Sequence, residues 1–270
     1  MNKIDFSTPK VMGILNITPD SFFDGNRYLS EKTVLQRVEN MVNEGADIID
    51  IGAFSSRPGA DFVSYPEERK RLMPHLKKIV KEFPGIHISI DTYRHEIALE
   101  AVEKGARIIN DISGGDLDEK MFETISKLPV SYVLMHMQGT PQNMQQNPDY
   151  QDVVSDIKQI FEQKINRLNQ LGFKDTILDP GFGFGKSLEH NYTILGRFHE
   201  FLSFDLPVLA GISRKSMLFK LLQGQPADML NATTVANTIA LMHGAKILRV
   251  HDVKEAVEAV KIVEMTKSNS

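Results

Sequence analysis

The sequence predicts a single (β/α)8 barrel, an α/β fold, over residues 1–270, with the active site at the carboxyl ends of the strands. Eight short apolar runs alternate with helical patterns, and neighbouring runs lie about 20 to 45 residues apart, as expected of βα units. No linker or low-complexity segment interrupts this alternation. An open doubly wound sheet is the alternative, but it would carry a glycine-rich nucleotide loop after the first strand, and the loop NITPDSF has no GxGxxG motif.

The predicted strands are short apolar runs bounded by polar residues, glycine or proline. In chain order they are VMGIL (11–15), DIIDI (47–51), HISID (87–91), a run ending near 110–111, VSYVLMHM (130–137), TILD (176–179), PVLAG (207–211) and KILRVHD (246–252).

Apolar residues at helical spacing predict helices between these strands. The clearest helices span about 31–44, 64–83 and 152–171. Ser64 and Glu67 have the spacing of a capping box, and Asp252 with Glu255 has the same spacing before the last helix. Both helices are therefore expected to begin with a side-chain cap.

The composition excludes several functional classes. A net charge of -4 argues against nucleic-acid binding, so any anion site must be local and built from a few cations. The absence of cysteine excludes disulfides, thiolate metal sites and a cysteine nucleophile, and is compatible with a cytoplasmic location. We find no signal peptide and no apolar run of about 18 residues, so no membrane association is expected.

Polar residues follow most of the predicted strands. Any one of them alone is explained as well by a helix cap, a turn or a solvated charge. Because strand ends in a barrel converge on one pocket, the set as a whole indicates a binding site. It comprises Asn16, Ser56, Arg57, Asp91, Asn110, Met135, His136, Asp179, Lys215, Arg249 and His251.

These residue types suit a flat, amino-bearing ring linked to a phosphorylated group. The oxygens of Asp91, Asp179 and Asn110 can accept hydrogen bonds from the N–H groups of a heterocycle. Asn16, with the loop that carries Asp20 and Asp24, offers oxygens of the kind that Mg²⁺ accepts beside a diphosphate. Positive charge for the anion comes from Arg57, Lys215, Arg249 and His251.

The motifs together resemble those of dihydropteroate synthases, in the order that this family has them and over about residues 11–252. The resemblance implies condensation of 6-hydroxymethyl-7,8-dihydropterin diphosphate with 4-aminobenzoate, with Mg²⁺ as cofactor, in folate biosynthesis. It also implies inhibition by sulfonamides and a homodimer joined through the last helices, where Val253, Val257, Val260 and Ile262 form an apolar face. The motifs are GILNITPDSFFDG, SSRPGA, SIDTYRHEIALEAVEKGARIINDISG, LMHMQGTPQNMQ, ILDPGFGFGK, GISRKSML and RVHDV.

The resemblance also implies a role for each site residue. The pterin would be held by Asp91, Asn110, Asp179 and Lys215. Met135 would pack on the ring, and Arg249 would stack on its other face. Catalysis is expected to depend on Asp91, Asp179, Lys215 and Arg249.

The remaining implied roles concern the diphosphate and the aminobenzoate. Asn16 would contact Mg²⁺ and the diphosphate, and Arg57, Arg249 and His251 would complete the anion site. The aminobenzoate site would be shaped by Ser56, Arg57, Pro58, Phe184, Ser213 and Lys215.

Some positions depart from the family pattern. Ala53 and Phe54 precede the second-loop motif where a Gly-Glu or similar pair is more frequent, a change expected to have little effect. Phe182 stands where a smaller aliphatic residue is usual and is expected to narrow the rim of the pterin site. Gln138 replaces a basic residue and is expected to remove a surface charge.

Other functions remain open. A corrinoid-dependent methyltetrahydrofolate methyltransferase would share the pterin site but needs no diphosphate contacts. A Schiff-base aldolase could use Lys215, although the neighbouring Arg214 and the aspartates favour ion pairing. A paralogue that binds pterin without turnover is the non-enzyme alternative.

Overall fold

The computed structural model describes residues 4–18, 30–54, 63–140, 144 and 148–269. The described residues form strands and helices in alternation along the chain, with two helices between the last two strands. The elements are β1 Lys10–Asn16, α1 Glu31–Asn43, β2 Ile48–Gly52, α2 Tyr65–Glu82, β3 His87–Asp91, α3 His95–Glu103, β4 Ile108–Asp111, α4 Met121–Ile125, β5 Ser131–Met135, α5 Val153–Gln170, β6 Thr176–Asp179, α6 Leu188–Gly196, β7 Leu209–Ala210, α7 Ser216–Leu222, α8 Leu230–Met242, β8 Ile247–Val250 and α9 Val253–Lys267.

The strands form one parallel sheet in the order β6-β5-β4-β3-β2-β1-β8-β7. The two outer strands, β6 and β7, meet through a parallel bridge between Leu178 and Val208. The amide of Leu178 also donates to the carbonyl of Pro207 at 2.9 Å. The sheet therefore closes on itself, and the predicted (β/α)8 barrel is confirmed.

Successive side chains of each strand point to opposite faces of the sheet, so they alternate between two apolar environments. Outward residues pack against the helices in the large core. Inward residues form a separate, fully buried cluster that fills the bottom of the barrel: Met12, Ile48, Ile108, Val133, Ile177, Leu209 and Ile247. This apolar floor lies two residues before the polar positions on several strands, and it supports the site from below.

Two predicted side-chain caps are not formed. Ser64 and Asp252 occupy the N-cap positions of α2 and α9, but neither side chain bonds to the helix. The Asp252 carboxylate instead accepts two hydrogen bonds at 2.9 Å from the guanidinium of Arg214. A bidentate, charge-assisted pair is stronger than a neutral cap, so the tertiary partner prevails over the local one.

Phe182 does not narrow the rim of the pocket as its position in the sequence suggests. Its side chain is fully buried and stacks on Phe198, with 6.3 Å between ring centroids. The predicted narrowing of the rim is wrong because the ring turns into the core. Phe182 lies between two glycines in a loop, and this local sequence does not indicate the direction of its side chain. None of the helices in the described ranges is long and apolar enough to cross a membrane.

Candidate active site

A polar layer lies directly above the apolar floor of the barrel. On β2, β4, β6 and β8 the residue two positions after each floor residue is Asp50, Asn110, Asp179 and Arg249. Residues two positions apart on a strand share a face, so these side chains lie on the inner face of the barrel like the floor residues, but nearer the carboxyl ends of the strands. The sequence pattern thus builds a floor of aliphatic side chains and a charged layer from the same strands.

Arg249 joins two buried carboxylates in this layer. Its Nε donates to Oδ2 of Asp50 at 2.6 Å, and its Nη2 donates to Oδ2 of Asp91 at 2.8 Å. Oδ1 of Asp91 is buried without a hydrogen-bond partner among the described residues. Burial, together with the charge of Asp50, raises the pKa of Asp91 to about 7 against the opposing effect of Arg249. A buried acceptor left without a donor is costly, which makes it a position for a ligand N–H.

Asn110 lies beside these carboxylates at the end of β4. Its Nδ2 donates to Oδ2 of Asp50 at 3.0 Å. Register pairing sets Asn110 next to Asp91 on the neighbouring strand. The amide nitrogen is therefore directed toward Asp50, and the amide oxygen remains for another donor.

Asp179 is held by the glycine loop that follows β6. The amide of Gly181 donates to Oδ1 of Asp179 at 2.7 Å. Burial raises the pKa of Asp179, and the positive charge of Lys215 opposes that shift. Gly181 has φ of +72°, and a Cβ there would collide with the backbone oxygen of His136. Glycine is thus required for the turn that caps this carboxylate.

Lys215 points across the pocket toward the same loop. Its Nζ donates to the carbonyl of Phe182 at 2.5 Å and lies 4.7 Å from the ring centroid of Phe184. Burial lowers the pKa of Lys215 to about 8, while the charge of Asp179 acts in the opposite direction. A cation over an aromatic face next to a carboxylate suits a polar aromatic ligand.

The loops after β7 and β8 are tied together beside this lysine. The backbone amide of His251 donates to Oγ of Ser213 at 3.2 Å, and Oγ of Ser213 also lies 3.2 Å from Nδ1 of His251. This is the corner of the barrel where phosphate groups frequently bind in this fold.

Asn16 ends β1 on the same side of the barrel. Its Oδ1 would lie 3.6 Å from a Cβ built on Gly52, and Oδ2 of Asp91 would lie 3.7 Å from the same atom. Within the described ranges there is no cluster of three or more His, Cys, Asp or Glu that could hold a metal. Mg²⁺ commonly takes one or two protein oxygens together with substrate phosphates and water, so this donor set is compatible with it.

Several sequence-predicted residues fall outside the described part of the chain. They are Asp20, Asp24, Ser56, Arg57 and Pro58. Met135, by contrast, ends β5 and is buried next to the polar layer. The structure therefore brings together nine of the predicted residues around one barrel mouth: Asn16, Asp91, Asn110, Met135, Asp179, Ser213, Lys215, Arg249 and His251. Phe184 joins them through its contact with Lys215.

Two charged residues at the site are not among those that the sequence predicts. Asp50 lies in the middle of β2 and is fully buried, and Lys186 lies in the loop after β6 and is also buried. Nζ of Lys186 lies 3.0 Å from Nδ1 of His136 and donates to the carbonyl of Phe184 at 2.9 Å. The available signal for Asp50 was a charged residue two positions after Ile48 in an otherwise aliphatic strand.

Gln138 forms two hydrogen bonds with the backbone of Asp149, in addition to the predicted loss of a surface charge. Its Nε2 donates to the carbonyl of Asp149 at 2.9 Å, and the amide of Asp149 donates back to Oε1 at 3.1 Å. Both polar ends of the amide side chain thus fasten the end of the long loop after β5. A lysine or arginine could supply the donor but not the acceptor.

A closed parallel barrel with hydrogen-bond acceptors and cations converging above its floor defines a ring-binding (β/α)8 enzyme. Comparison with known proteins identifies the class more closely, since the family model described as "Pterin binding enzyme" matches residues 12–251. The chain belongs to this family.

Within it, the relatives are dihydropteroate synthases. The enzyme of Escherichia coli strain K12 is 46% identical over 268 residues, which cover 98% of this chain and 94% of that protein. A Yersinia pestis dihydropteroate synthase solved with a sulfonamide drug complex superposes with a TM-score of 0.93 at 44% identity, covering 98% of this chain and 96% of the other. The Xanthomonas albilineans enzyme solved with 4-aminobenzoic acid gives a TM-score of 0.91 at 34% identity, covering 97% and 94%. The predicted family is confirmed, and the chain is an enzyme of the transferase class.

Proposed function

We propose that this barrel condenses 6-hydroxymethyl-7,8-dihydropterin diphosphate with 4-aminobenzoate to give 7,8-dihydropteroate and diphosphate, as a step of folate biosynthesis. The C–O bond to the diphosphate breaks with its electron pair going to the leaving group. The aniline nitrogen then forms the C–N bond and gives up one proton. The observation that carries the proposal is the buried Oδ1 of Asp91, which has no partner among the described residues and lies beside Asn110 in the sheet register.

These acceptors match the donors of a reduced pterin. The ring presents its amino group and ring N–H groups along its edges, and the pocket presents oxygens of Asp91, Asn110 and Asp179. Ionised acceptors make these bonds about twice as strong as neutral ones. The buried carboxylates would also stabilise the positive charge that the pterin gains as diphosphate leaves, because preorganised charges act strongly in a water-excluded site.

The basic residues beside these acceptors suit the diphosphate. Arg249 and His251 lie at the β8 end, and Lys215 lies at the β7 end. Asn16 would hold Mg²⁺, which when bound supplies positive charge to the diphosphate oxygens. Arg57 would extend this anion site from the second loop.

The aminobenzoate is assigned to the pocket side formed by Phe184, Ser213 and Lys215. The ring of Phe184 offers an apolar surface, and the ammonium of Lys215 lies over it. Ser56, Arg57 and Pro58 would complete this site. Sulfonamides are expected to compete for the same position, as a sulfonamide complex is known for the Yersinia relative.

The test is diphosphate release by the purified protein with Mg²⁺ and both substrates, each omitted in turn. Release that requires both substrates and yields dihydropteroate supports the proposal. Pterin binding without diphosphate release would contradict it, and a corrinoid-dependent methyl transfer assay would then separate the methyltransferase from an inactive paralogue. Asp179→Asn is the control for the site. It should weaken pterin binding and diphosphate release, whereas an aldolase reaction that depends on Lys215 would need no pterin acceptor and should persist.

The assembly is proposed to be a homodimer joined through α8 and α9. The apolar face predicted on α9 mostly covers the barrel: Val253 is buried, and Val257 and Val260 pack against the core. Ile262 of the predicted face is exposed, and the other exposed large apolar residues of these two helices are Met265 on α9 and Val235, Ile239 and Met242 on α8.

The two helices are adjacent, since Nζ of Lys267 donates to the carbonyl of Leu241 at 2.7 Å. Light scattering should give a dimer mass for the wild type and a monomer mass for Ile262→Glu. Lys261→Gln, at a neighbouring exposed position on α9, lowers the net charge by the same one unit and is the charge-matched control. The single domain over residues 1–270 and the cytoplasmic location stay predictions.

A further inference from the structure

We propose that Asp50 is a positioning residue that sets the donor and acceptor pattern of the pterin site by orienting Asn110 and Arg249. The inference rests on the proposed pterin function and adds a residue that touches no substrate. It explains why a fully buried carboxylate lies on the inner face of the barrel among the side chains of the site.

Asp50 is fully buried and surrounded by three donors. Oδ1 accepts from Oγ of Ser89 at 2.6 Å. Oδ2 accepts from Nδ2 of Asn110 at 3.0 Å and from Nε of Arg249 at 2.6 Å. The partners come from β3, β4 and β8, so one side chain connects three strands of the barrel. A carboxylate with only donors around it acts as an acceptor at every position.

The first consequence concerns the amide of Asn110. A side-chain amide can be rotated to exchange its oxygen and nitrogen, and the neighbouring groups decide which orientation is stable. Because Asp50 accepts, the nitrogen of Asn110 must face it. The oxygen is thereby presented to the ligand, where it can accept from an amino group of the pterin edge.

The second consequence concerns Arg249. Nε is fixed by Asp50 and Nη2 by Asp91, so two hydrogen bonds at adjacent edges define the plane of the guanidinium. A planar group held at two edges loses little entropy when a ring or an anion binds to it. Without Asp50 the guanidinium would be held by Asp91 alone.

Stability of the barrel alone does not require a charged side chain at position 50. Ile48, two residues earlier on the same strand, fills the floor with an aliphatic side chain. Replacing buried ionic groups with well-packed apolar ones is often neutral or stabilising. A buried carboxylate that contacts two site residues therefore points to function.

The experiment compares Asp50→Asn with wild type for binding of 6-hydroxymethyl-7,8-dihydropterin and for steady-state kinetics. The Asn side chain keeps the shape of Asp50 but removes its charge. Its amide oxygen can remain toward Asn110 and Arg249 with its nitrogen turned to Oγ of Ser89, so the hydrogen bonds from Asn110 and Arg249 go to a neutral acceptor and are weaker. We expect dihydropterin affinity to fall on the order of tenfold to hundredfold, because the charged acceptor that orients Asn110 and Arg249 is lost. KM for 4-aminobenzoate should change less than about twofold, since none of the described residues assigned to that ring hydrogen-bonds to Asp50.

Ser89→Ala is the matched control. It removes one hydrogen bond from Asp50 but leaves Oδ2, Asn110 and Arg249 in place, so dihydropterin affinity should stay within about twofold of wild type. Equal losses in Ser89→Ala and Asp50→Asn would overturn the proposal, since they would show a general effect on packing.

A double-mutant cycle tests whether Asp50 acts through Asn110. The combined variant Asp50→Asn/Asn110→Ala should lose at least about fivefold less affinity than the product of the two single losses. Multiplying losses would overturn the proposed link. A wild type that binds no dihydropterin would instead contradict the proposed function itself.

A measurement on wild type alone covers the case in which Asp50→Asn does not fold. The side-chain ¹⁵N–¹H signals of Asn110, assigned by comparison with Asn110→Asp, should show one amide proton shifted downfield by the carboxylate and slow to exchange in the ligand-free protein. Two amide protons with the chemical shifts and fast exchange of a solvated Asn side chain would show that Asp50 does not hold Asn110.

Discussion

The guanidinium of Arg249 donates to one oxygen of Asp91 at 2.8 Å, and the other oxygen of that carboxylate is buried with no partner among the described residues. This asymmetry separates the two oxygens of Asp91 by function. One oxygen balances the charge of the arginine. In the proposed pterin site the other would accept from a ring N–H, and little rearrangement would be needed because Arg249 already holds the carboxylate.

Asp179→Asn should greatly weaken binding of the pterin while leaving the fold intact. Loss of the charge weakens each hydrogen bond from the pterin and costs about 1.5–3 kcal/mol, or roughly tenfold to 150-fold in affinity. Calorimetry with the dihydropterin measures the effect. Asp175→Asn, just before the opposite end of β6, is the matched control and should bind as wild type does. Unchanged affinity of Asp179→Asn would remove this carboxylate from the pterin site.

Pterin affinity should depend on pH with a maximum between about 7 and 8. The pKa of Asp91 is raised to about 7 by burial, so its charged, accepting form is lost as the pH falls below that value. The pKa of Lys215 is lowered to about 8 by burial, so its charge is lost as the pH rises above it. Titration with the dihydropterin, which carries no ionising phosphate, avoids a substrate contribution.

The two limbs of this profile can be assigned by substitution. Asp91→Asn should flatten the acidic limb, and Lys215→Met should flatten the basic limb, each with weaker binding at the optimum. An acidic limb that persists in Asp91→Asn would show that another group controls it.

Arg249→Ala should reduce stability more at pH 8 than at pH 5. Removing the arginine leaves Asp50 and Asp91 buried without their cation, a loss of about 3–5 kcal/mol when both are charged. The pKa of Asp91, already raised, rises further without Arg249, so acidification protonates this carboxylate and recovers part of the stability. Urea unfolding at both pH values measures the difference, and an equal loss at the two values would contradict the argument.

Gly181→Ala should cost much more stability than Gly172→Ala. Both glycines have positive φ, +72° and +80°, so the backbone strain is similar and amounts to about 1–3 kcal/mol. Only the Cβ at Gly181 collides with a backbone oxygen, that of His136, whereas a Cβ at Gly172 meets nothing within 4 Å. Thermal unfolding compares them, and pterin binding should be lost only in Gly181→Ala, because this turn caps Asp179. Equal stabilities would show that the loop moves to admit the methyl group.

Much of the site follows from a simple pattern in the sequence. Asp91, Asn110 and Asp179 each end an apolar strand, and strand ends in a barrel share one face. Their convergence was therefore predictable without coordinates. Asp50 was not predicted as a site residue because it lies inside a strand, whereas the prediction considered the strand ends and the loops that follow them. Lys186 was missed because a lysine in a glycine loop is ordinarily exposed, and only packing shows that it turns inward.

The sequence by itself determined the barrel, the order of its elements and the strands that carry the pocket, because periodicity and turn residues are local properties. Tertiary structure alone decided which partners the polar groups take. Asp252 pairs with Arg214 rather than capping α9, Phe182 enters the core, and Asp50 gathers donors from three strands. Such choices depend on distances between groups far apart in the chain, and a buried charge takes whichever partner compensates its desolvation best.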